Sequence, residues 1–236
     1  MARHKPTAEG GYQRGEETRA RIIDSALKLF GERGFEGAST REIAMEAGVN
    51  APALQYYFDN KEGVYLACVE YILDRIWEQL ASPVEYAEQV LADPRCSDEQ
   101  LIDAYLALIG GFIGFIHDTP SAQPWRLFMA REQAGLGPPG TAELMRSRLH
   151  QRTGAVTTAI VGHLTGLPAD DERTLIRTFA INSQGIVFRV LRTQVLGVLG
   201  WDNIDQTRVE SVRLVLLGQT RLTLRALILE RDAGRL

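Results

Sequence analysis

An all-α fold is what this sequence predicts: an N-terminal three-helix helix-turn-helix unit followed by a larger helical domain. Three observations support it. Apolar side chains recur at three- and four-residue spacing along most of the chain, the period of a helix packed on one face. No run alternates Val, Ile and Thr in the way a half-buried strand requires. Between residues 18 and 60, capping residues and glycines cut the pattern into short pieces, each with its own start and stop signal.

Residues 1–15 carry Gly, Pro and charge with little that can pack, and they read as a flexible basic arm. Helical periodicity starts near Thr18, where Ile22, Ile23, Ala26, Leu27, Leu29 and Phe30 recur at helical spacing. Gly34 is placed to end this helix in a left-handed cap. Ser39 stands three residues before Glu42, the spacing of a reciprocal capping box. The helix it opens turns Ile43, Ala44 and Ala47 inward and stops at Gly48. A third helix opens at Asn50 and ends near Tyr57. A fourth starts around Asn60 and runs through Tyr65, Val69, Ile72, Leu73, Ile76 and Leu80 until Pro83. Longer helices follow near 98–117, 121–134, 141–165, 170–198 and 205–231, with breaks at GLGPPG (135–140), Pro168 and 197–200. The domains expected are therefore the arm (1–15), the helix-turn-helix (16–64) and a larger helical domain (65–236).

Hydrophobic residues make up 45% and charged ones 24%, a globular balance rather than a disordered one. Cys68 and Cys96 are too distant for a CxxC pair, which argues against a zinc ribbon or a disulfide framework and fits a reducing compartment. The N-terminus lacks the apolar run of a signal peptide. The greasiest stretch, 101–117, is interrupted by Asp103, Gly110, Gly111 and Gly114, and is expected to be too short and broken to span a bilayer. A cytoplasmic protein without a membrane partner is the expectation. The net charge of −4 counts mildly against nucleic acid as a partner. Its distribution softens the objection, because residues 1–21 are net +2 and the remainder net −6.

The third helix is too short to live by its own stability, so its exposed face asks for a purpose. Asn50 can cap it through the N–H of Ala53, because Pro52 has no N–H to offer. At 100° per residue, Leu54 and Phe58 face the core with Val49, while Ala51, Pro52, Gln55 and Tyr56 point away. Small uncharged residues allow close approach to a major groove, and Gln55 can pair bidentately with adenine. Tyr56 and Tyr57 can meet phosphates. Lys61 and the N-termini of the second helix (at Ser39) and the fourth offer phosphate sites. As an isolated segment it would read as ordinary amphipathic surface; three capped helices in register favour a helix-turn-helix.

The run RARIIDSALKLFGERGFEGASTREIAMEAGVNAPALQYYFDNKEGVY, within 19–66, resembles the DNA-binding domain of the TetR family of transcriptional regulators. REIA, AGV, the LQYYF run and the KE that follows all fall in place. By that resemblance Ser39 and Tyr57 contact phosphates, Gln55 and Tyr56 face the groove, and Lys61 grips the backbone. Gln55, Asn50 and Pro52 depart from the residues common in the family, which leaves the fold expectation intact and the operator sequence unread. The resemblance implies a helical C-terminal domain that dimerises and binds an effector. A narrower likeness, on the REQ run at 131–133 after an apolar stretch, is to the C-terminal domain of CerR-like regulators.

The C-terminal half supplies material for both roles. Phe179, Ile186, Val187, Val190 and Leu191 in one long helix, and Val212, Val215, Leu216, Leu222, Leu227 and Ile228 in the last, cover more than one face. Such a helix needs two packing partners, one of which a second copy can supply through an isologous contact. Tyr105, Phe112, Phe115, Trp125 and Phe128 either line a ligand cavity or form plain core. Arg131 and Glu132 either anchor a polar ligand group or belong to a solvated face or an internal ion pair. No enzyme, metal or cofactor is expected: His4, His117, His150 and His163 have no metal-ligand spacing, and no nucleophile elbow or phosphate loop is present. The expectation is a homodimeric repressor of a palindromic operator, released by an unidentified small molecule; the alternative is a TetR-like DNA binder acting through protein partners.

Overall fold

The computed structural model describes residues 8–117 and 122–236, with side chains from residue 13 in the first stretch and residue 124 in the second. In order the helices are α1 Ala8–Gly37, α2 Thr40–Glu46, α3 Ala51–Phe58, α4 Lys61–Ala92, α5 Asp98–Ile113, α6 Ala122–Gln133, α7 Thr141–Met145, α8 Gln151–Thr165, α9 Glu172–Asn182, α10 Val187–Val190, α11 Arg192–Leu199 and α12 Gln206–Asp232. Tight 3₁₀ turns at Gly114–Ile116 and Ser183–Gly185 follow α5 and α9, and a π-helical turn at Arg146–His150 joins α7 to α8. The all-α expectation holds across every described element.

The chain forms two compact units: the described residues up to Ile72 together with Gln123–Leu144, and Leu73–Ala122 together with Met145–Leu236. This differs from the expected division at 64/65. The reason is tertiary. Phe128 in α6 is fully buried, with its ring centroid 4.5 Å from that of Tyr65 and 6.5 Å from that of Phe30, so a segment distant in sequence completes the first unit's core.

In the first unit, α1 starts at Ala8 rather than near Thr18, so the part of the expected arm from residue 8 is helical. Once Ile22 and Phe30 are fully buried, each further turn adds hydrogen bonds without a new nucleation cost. Arg3 and Lys5, the cations through which the basic arm is expected to add salt-dependent DNA affinity, lie outside the described residues. Gly34 has the positive φ expected of it, 78°, but its ψ of 175° is extended. The helix therefore kinks there and takes one more turn to Gly37 instead of stopping.

In the second unit three expectations change. Pro83 lies inside α4, although a proline removes one helical hydrogen bond and crowds the preceding turn. Val84 and Ala87 beyond it are fully buried, and their burial holds the helix together. The segment Asp98–Ile116 is long and apolar enough to cross a membrane, contrary to the sequence reading, but 61% of it is buried inside the protein as a core helix. Finally, the long helix expected at 170–198 is three pieces. Ser183 bonds back to the Ala180 carbonyl, competing with the ladder, Gly185 is a poor helix former, and Leu191 leaves helical geometry at φ −100°, ψ 29°.

Helix α12 runs antiparallel to α5 along a ladder of arginines. Arg213 donates to the Gly110 carbonyl at 2.7 Å, Arg221 to Asp103 at 2.6 Å, Arg225 to Glu99 at 2.8 Å and Arg231 to Asp98 at 2.8 Å. The costly glycines of α5 have packing reasons: a Cβ at Gly111 would stand 2.7 Å from Leu80 and one at Gly110 3.0 Å from the Arg213 guanidinium.

Candidate nucleic-acid interface

The geometry of the helix-turn-helix is set by three local devices. At the start of α2, Glu42 N–H donates to the Ser39 hydroxyl at 3.2 Å, while Ser39 N–H and Oγ donate to the Glu42 carboxylate at 3.0 and 2.6 Å. This is the capping box the spacing predicts. Those bonds, with Arg33 at 2.7 Å, hold the Glu42 carboxyl below its usual range. At the end of α2, Gly48 sits at φ 66°; the Val49 N–H reaches the Ala44 carbonyl at 2.9 Å and the Gly48 N–H that of Met45 at 3.1 Å, the two bonds of a Schellman motif. At the start of α3, Ala53 N–H donates to the Asn50 side chain at 2.8 Å, with Pro52 in the first turn.

The consequence is a two-faced helix. Leu54 and Phe58 are buried, whereas Ala51, Pro52, Gln55 and Tyr56 are exposed, Tyr56 by 83%. Val49, expected in the core, is only half-buried. Tyr57 is also half-buried, its ring set edge-on to Tyr56 at 5.2 Å. Ser39 and Asn50 are exposed but their side-chain oxygens already serve as caps. Lys61 is engaged as well. Its ammonium lies 4.5 Å from the Phe35 ring centroid and donates to the Glu36 carbonyl at 3.4 Å, so a phosphate would have to compete with these contacts. Sequence reasoning passed over Arg41, which is exposed in the first turn of α2 and pairs with none of the described residues. The signal was available: a cation two residues after an N-cap, beside the free N–H groups of a helix start.

The seven ligand candidates fare differently. Tyr105, Phe112 and Phe115 belong to the second unit, and Trp125, Phe128, Arg131 and Glu132 to the first. Tyr105 is fully buried and donates to Asn182 at 2.7 Å; burial raises its phenol pKa. Phe115 is buried and Phe112 half-buried, as is Trp125. Phe128 is core. Arg131 donates to the carbonyls of Gly31 and Glu32, each at 2.9 Å, and Glu132 accepts the Tyr65 hydroxyl proton at 2.6 Å. Burial and Glu132 together raise the Tyr65 pKa. Within the second unit a groove of about 870 Å³ runs between α4, α5 and α12, lined by Gln79, Leu106, Leu214, Leu217, Arg213 and Arg221 among others. None of the seven lines it, and no periodicity announces it, because its walls come from three separate helices.

A capped helix-turn-helix with an exposed, uncharged outer face, carried on an all-helical chain, is the make-up of a DNA-binding transcriptional regulator. Comparison with known proteins agrees. Residues 22–68 match the model of bacterial regulatory proteins of the tetR family, and residues 101–227 match that of the C-terminal domain of the HTH-type transcriptional dual regulator CecR. CecR of Shigella flexneri is 31% identical over 199 residues, covering 84% of this chain and 87% of that one. A probable regulator of Bacillus subtilis, YttP, is 35% identical over 36% of this chain and 39% of its own. Among solved structures, AibR in complex with isovaleryl coenzyme A and operator DNA aligns with a TM-score of 0.59 at 19% identity, covering 86% of this chain and 97% of that chain. The SmeT–triclosan complex aligns at 0.58 and 17% identity, over 87% and 90%. The chain belongs to the TetR family of transcriptional regulators, in the branch defined by the CecR C-terminal domain, a match that includes the REQ run at 131–133.

Proposed function

We propose that this regulator is a homodimeric repressor that holds a near-palindromic operator through α3 and releases it when a small molecule binds the second unit. The carrying observation is the outer face of α3: Ala51, Pro52, Gln55 and Tyr56 are exposed and uncharged while Leu54 and Phe58 anchor the helix from behind. Gln55 reads a base edge, and Ala51, Pro52 and Ala53 offer apolar surface to thymine methyls. Ser39, Asn50, Tyr57, Lys61 and Arg41 line the flanks that meet phosphate.

Dimerisation is supported by apolar side chains left in solvent. On α9, Ile176 and Phe179 are 60% and 74% exposed. On α12, Val215, Leu222 and Leu229 recur at intervals of seven and are all more than half exposed. Large apolar side chains left this exposed on a helix face support an interaction surface, and a twofold pairing there presents two recognition helices to half-sites about 34–36 Å apart. For the effector, the groove of α4, α5 and α12 offers leucines beside Arg213 and Arg221, and the fold relatives solved with isovaleryl coenzyme A and triclosan support an amphipathic ligand. An effector shifts the equilibrium only by binding the non-DNA-binding conformer more tightly. Such a regulator works in the cytoplasm, where its DNA is.

Gel-shift titration with a duplex selected from a random-sequence pool, repeated across salt concentrations, tests the reading. Gln55→Ala is expected to relax base preference, and Tyr57→Phe to weaken all sequences about equally. If both leave affinity untouched, α3 is not the reading helix. If no compound shifts the melting temperature, the partner-protein alternative takes the effector's place.

A further inference from the structure

The REQ run is occupied by work inside the first unit, and that work concerns α1. At Gly34, φ 78° and ψ 175° break the helical geometry of α1, and carbonyls in the turn before such a break are open to a partner from outside the helix. The Arg131 guanidinium, a hundred residues away in sequence, donates to two of them, Gly31 and Glu32. A cation at a helix C-terminus is also favoured by the helix dipole. Glycines of α1 leave room for the approach. A Cβ at Gly31 would stand 2.8 Å from the Pro124 carbonyl and 3.1 Å from Leu127 Cβ, and the Gly34 position has Arg131 Nη1 at 3.2 Å. One residue on, Glu132 accepts a hydrogen bond from the Tyr65 hydroxyl, tying α6 to α4 as Arg131 ties it to α1.

We infer that Arg131 and Glu132 are positioning residues of the DNA-binding unit: they form a clamp that fixes the C-terminal end of α1, and through it the seat of α2 and α3. Resting on the DNA-binding reading above, this assigns 123–133 a regulatory rather than a ligand-contacting part. The clamp segment enters from and returns to chain of the second unit, at Ala122 and Met145. Release of the clamp therefore lies one covalent step from that unit. Linkage is reciprocal: if the clamp favours the DNA-binding arrangement, bound DNA must tighten the clamp.

Amide hydrogen exchange on the whole protein, with and without a duplex selected by the wild type from a random pool, tests this. In the wild type, DNA is expected to slow exchange in 123–133 at least fivefold. In Arg131→Ala that gain disappears, DNA affinity falls at least tenfold, and the free protein exchanges faster at the end of α1 and in α2–α3 but not in α8 or α12. Glu132→Gln, which keeps an acceptor for Tyr65, stays within about threefold of wild type; Glu132→Leu behaves like Arg131→Ala. No DNA-induced protection of 123–133, or equal loosening of α8 and α12 in Arg131→Ala, overturns the clamp. A wild type that selects no duplex overturns the DNA-binding reading instead, and the free-protein exchange pattern still decides whether Arg131 holds α1.

Discussion

Replacing Gly48 by Ala isolates a single physical term. Gly48 holds φ 66°, and an added Cβ would meet nothing within 4 Å. Crowding therefore contributes nothing, and the whole penalty is the left-handed backbone, about 1–2 kcal/mol for a residue with a Cβ. At about 1.4 kcal/mol per factor of ten, this is roughly a tenfold loss in the local folding equilibrium. The loss falls on the Schellman bonds of Val49 and Gly48, and on the angle between α2 and α3. Exchange of the amides in α2 and α3 reads it directly, which avoids the assumption that two compact units unfold in one step. Gly48→Asn serves as the control, because Asn tolerates this backbone region better than Ala. Ala is expected to accelerate exchange about tenfold and Asn clearly less. Equal effects of the two substitutions, or none from Ala, would refute the argument that φ alone determines the residue here.

Other outcomes follow from the same geometry. Asn50→Ala removes the one acceptor for Ala53 N–H and is expected to destabilise α3 by about 1 kcal/mol, while Asn50→Asp is nearly neutral; urea titration of the pair, read by exchange in α3, distinguishes them. Leu222→Glu places a charge in the apolar face of α12, where Leu222 is 69% exposed, and should leave a folded monomer by analytical ultracentrifugation; an intact dimer would move the interface elsewhere. The Glu99 carboxyl is held below its usual range by Arg225 first and Arg221 after it. A depressed carboxylate stabilises the fold fully above its unfolded pKa, about 4.3, and that contribution is lost as pH falls through the lower folded value. Acid unfolding of Glu99→Gln should accordingly show a weaker pH dependence in that window, and salt should narrow the difference, since the pair is exposed.

What could be read from residues in order was local. Ser39 with Glu42, Gly48, Asn50 with Pro52, and the 100° offsets that separate Leu54 and Phe58 from Gln55 and Tyr56 each act over a few residues. Composition and spacing therefore determine them before any tertiary contact exists, and both the helix-turn-helix and its outward face were legible. Long-range packing decided the rest. Pro83 stays helical because Val84 and Ala87 are buried beyond it. The 170–198 stretch breaks at Ser183–Gly185 and Leu191, where apolar periodicity alone suggested one helix. Arg131 and Glu132 turn inward because distant helices bring partners within reach: the Gly31 and Glu32 carbonyls of α1 and the Tyr65 hydroxyl of α4. Caps and turns are encoded by neighbours in the chain, whereas a side chain's partner across the core depends on where distant helices come to rest, and only the folded packing supplies that.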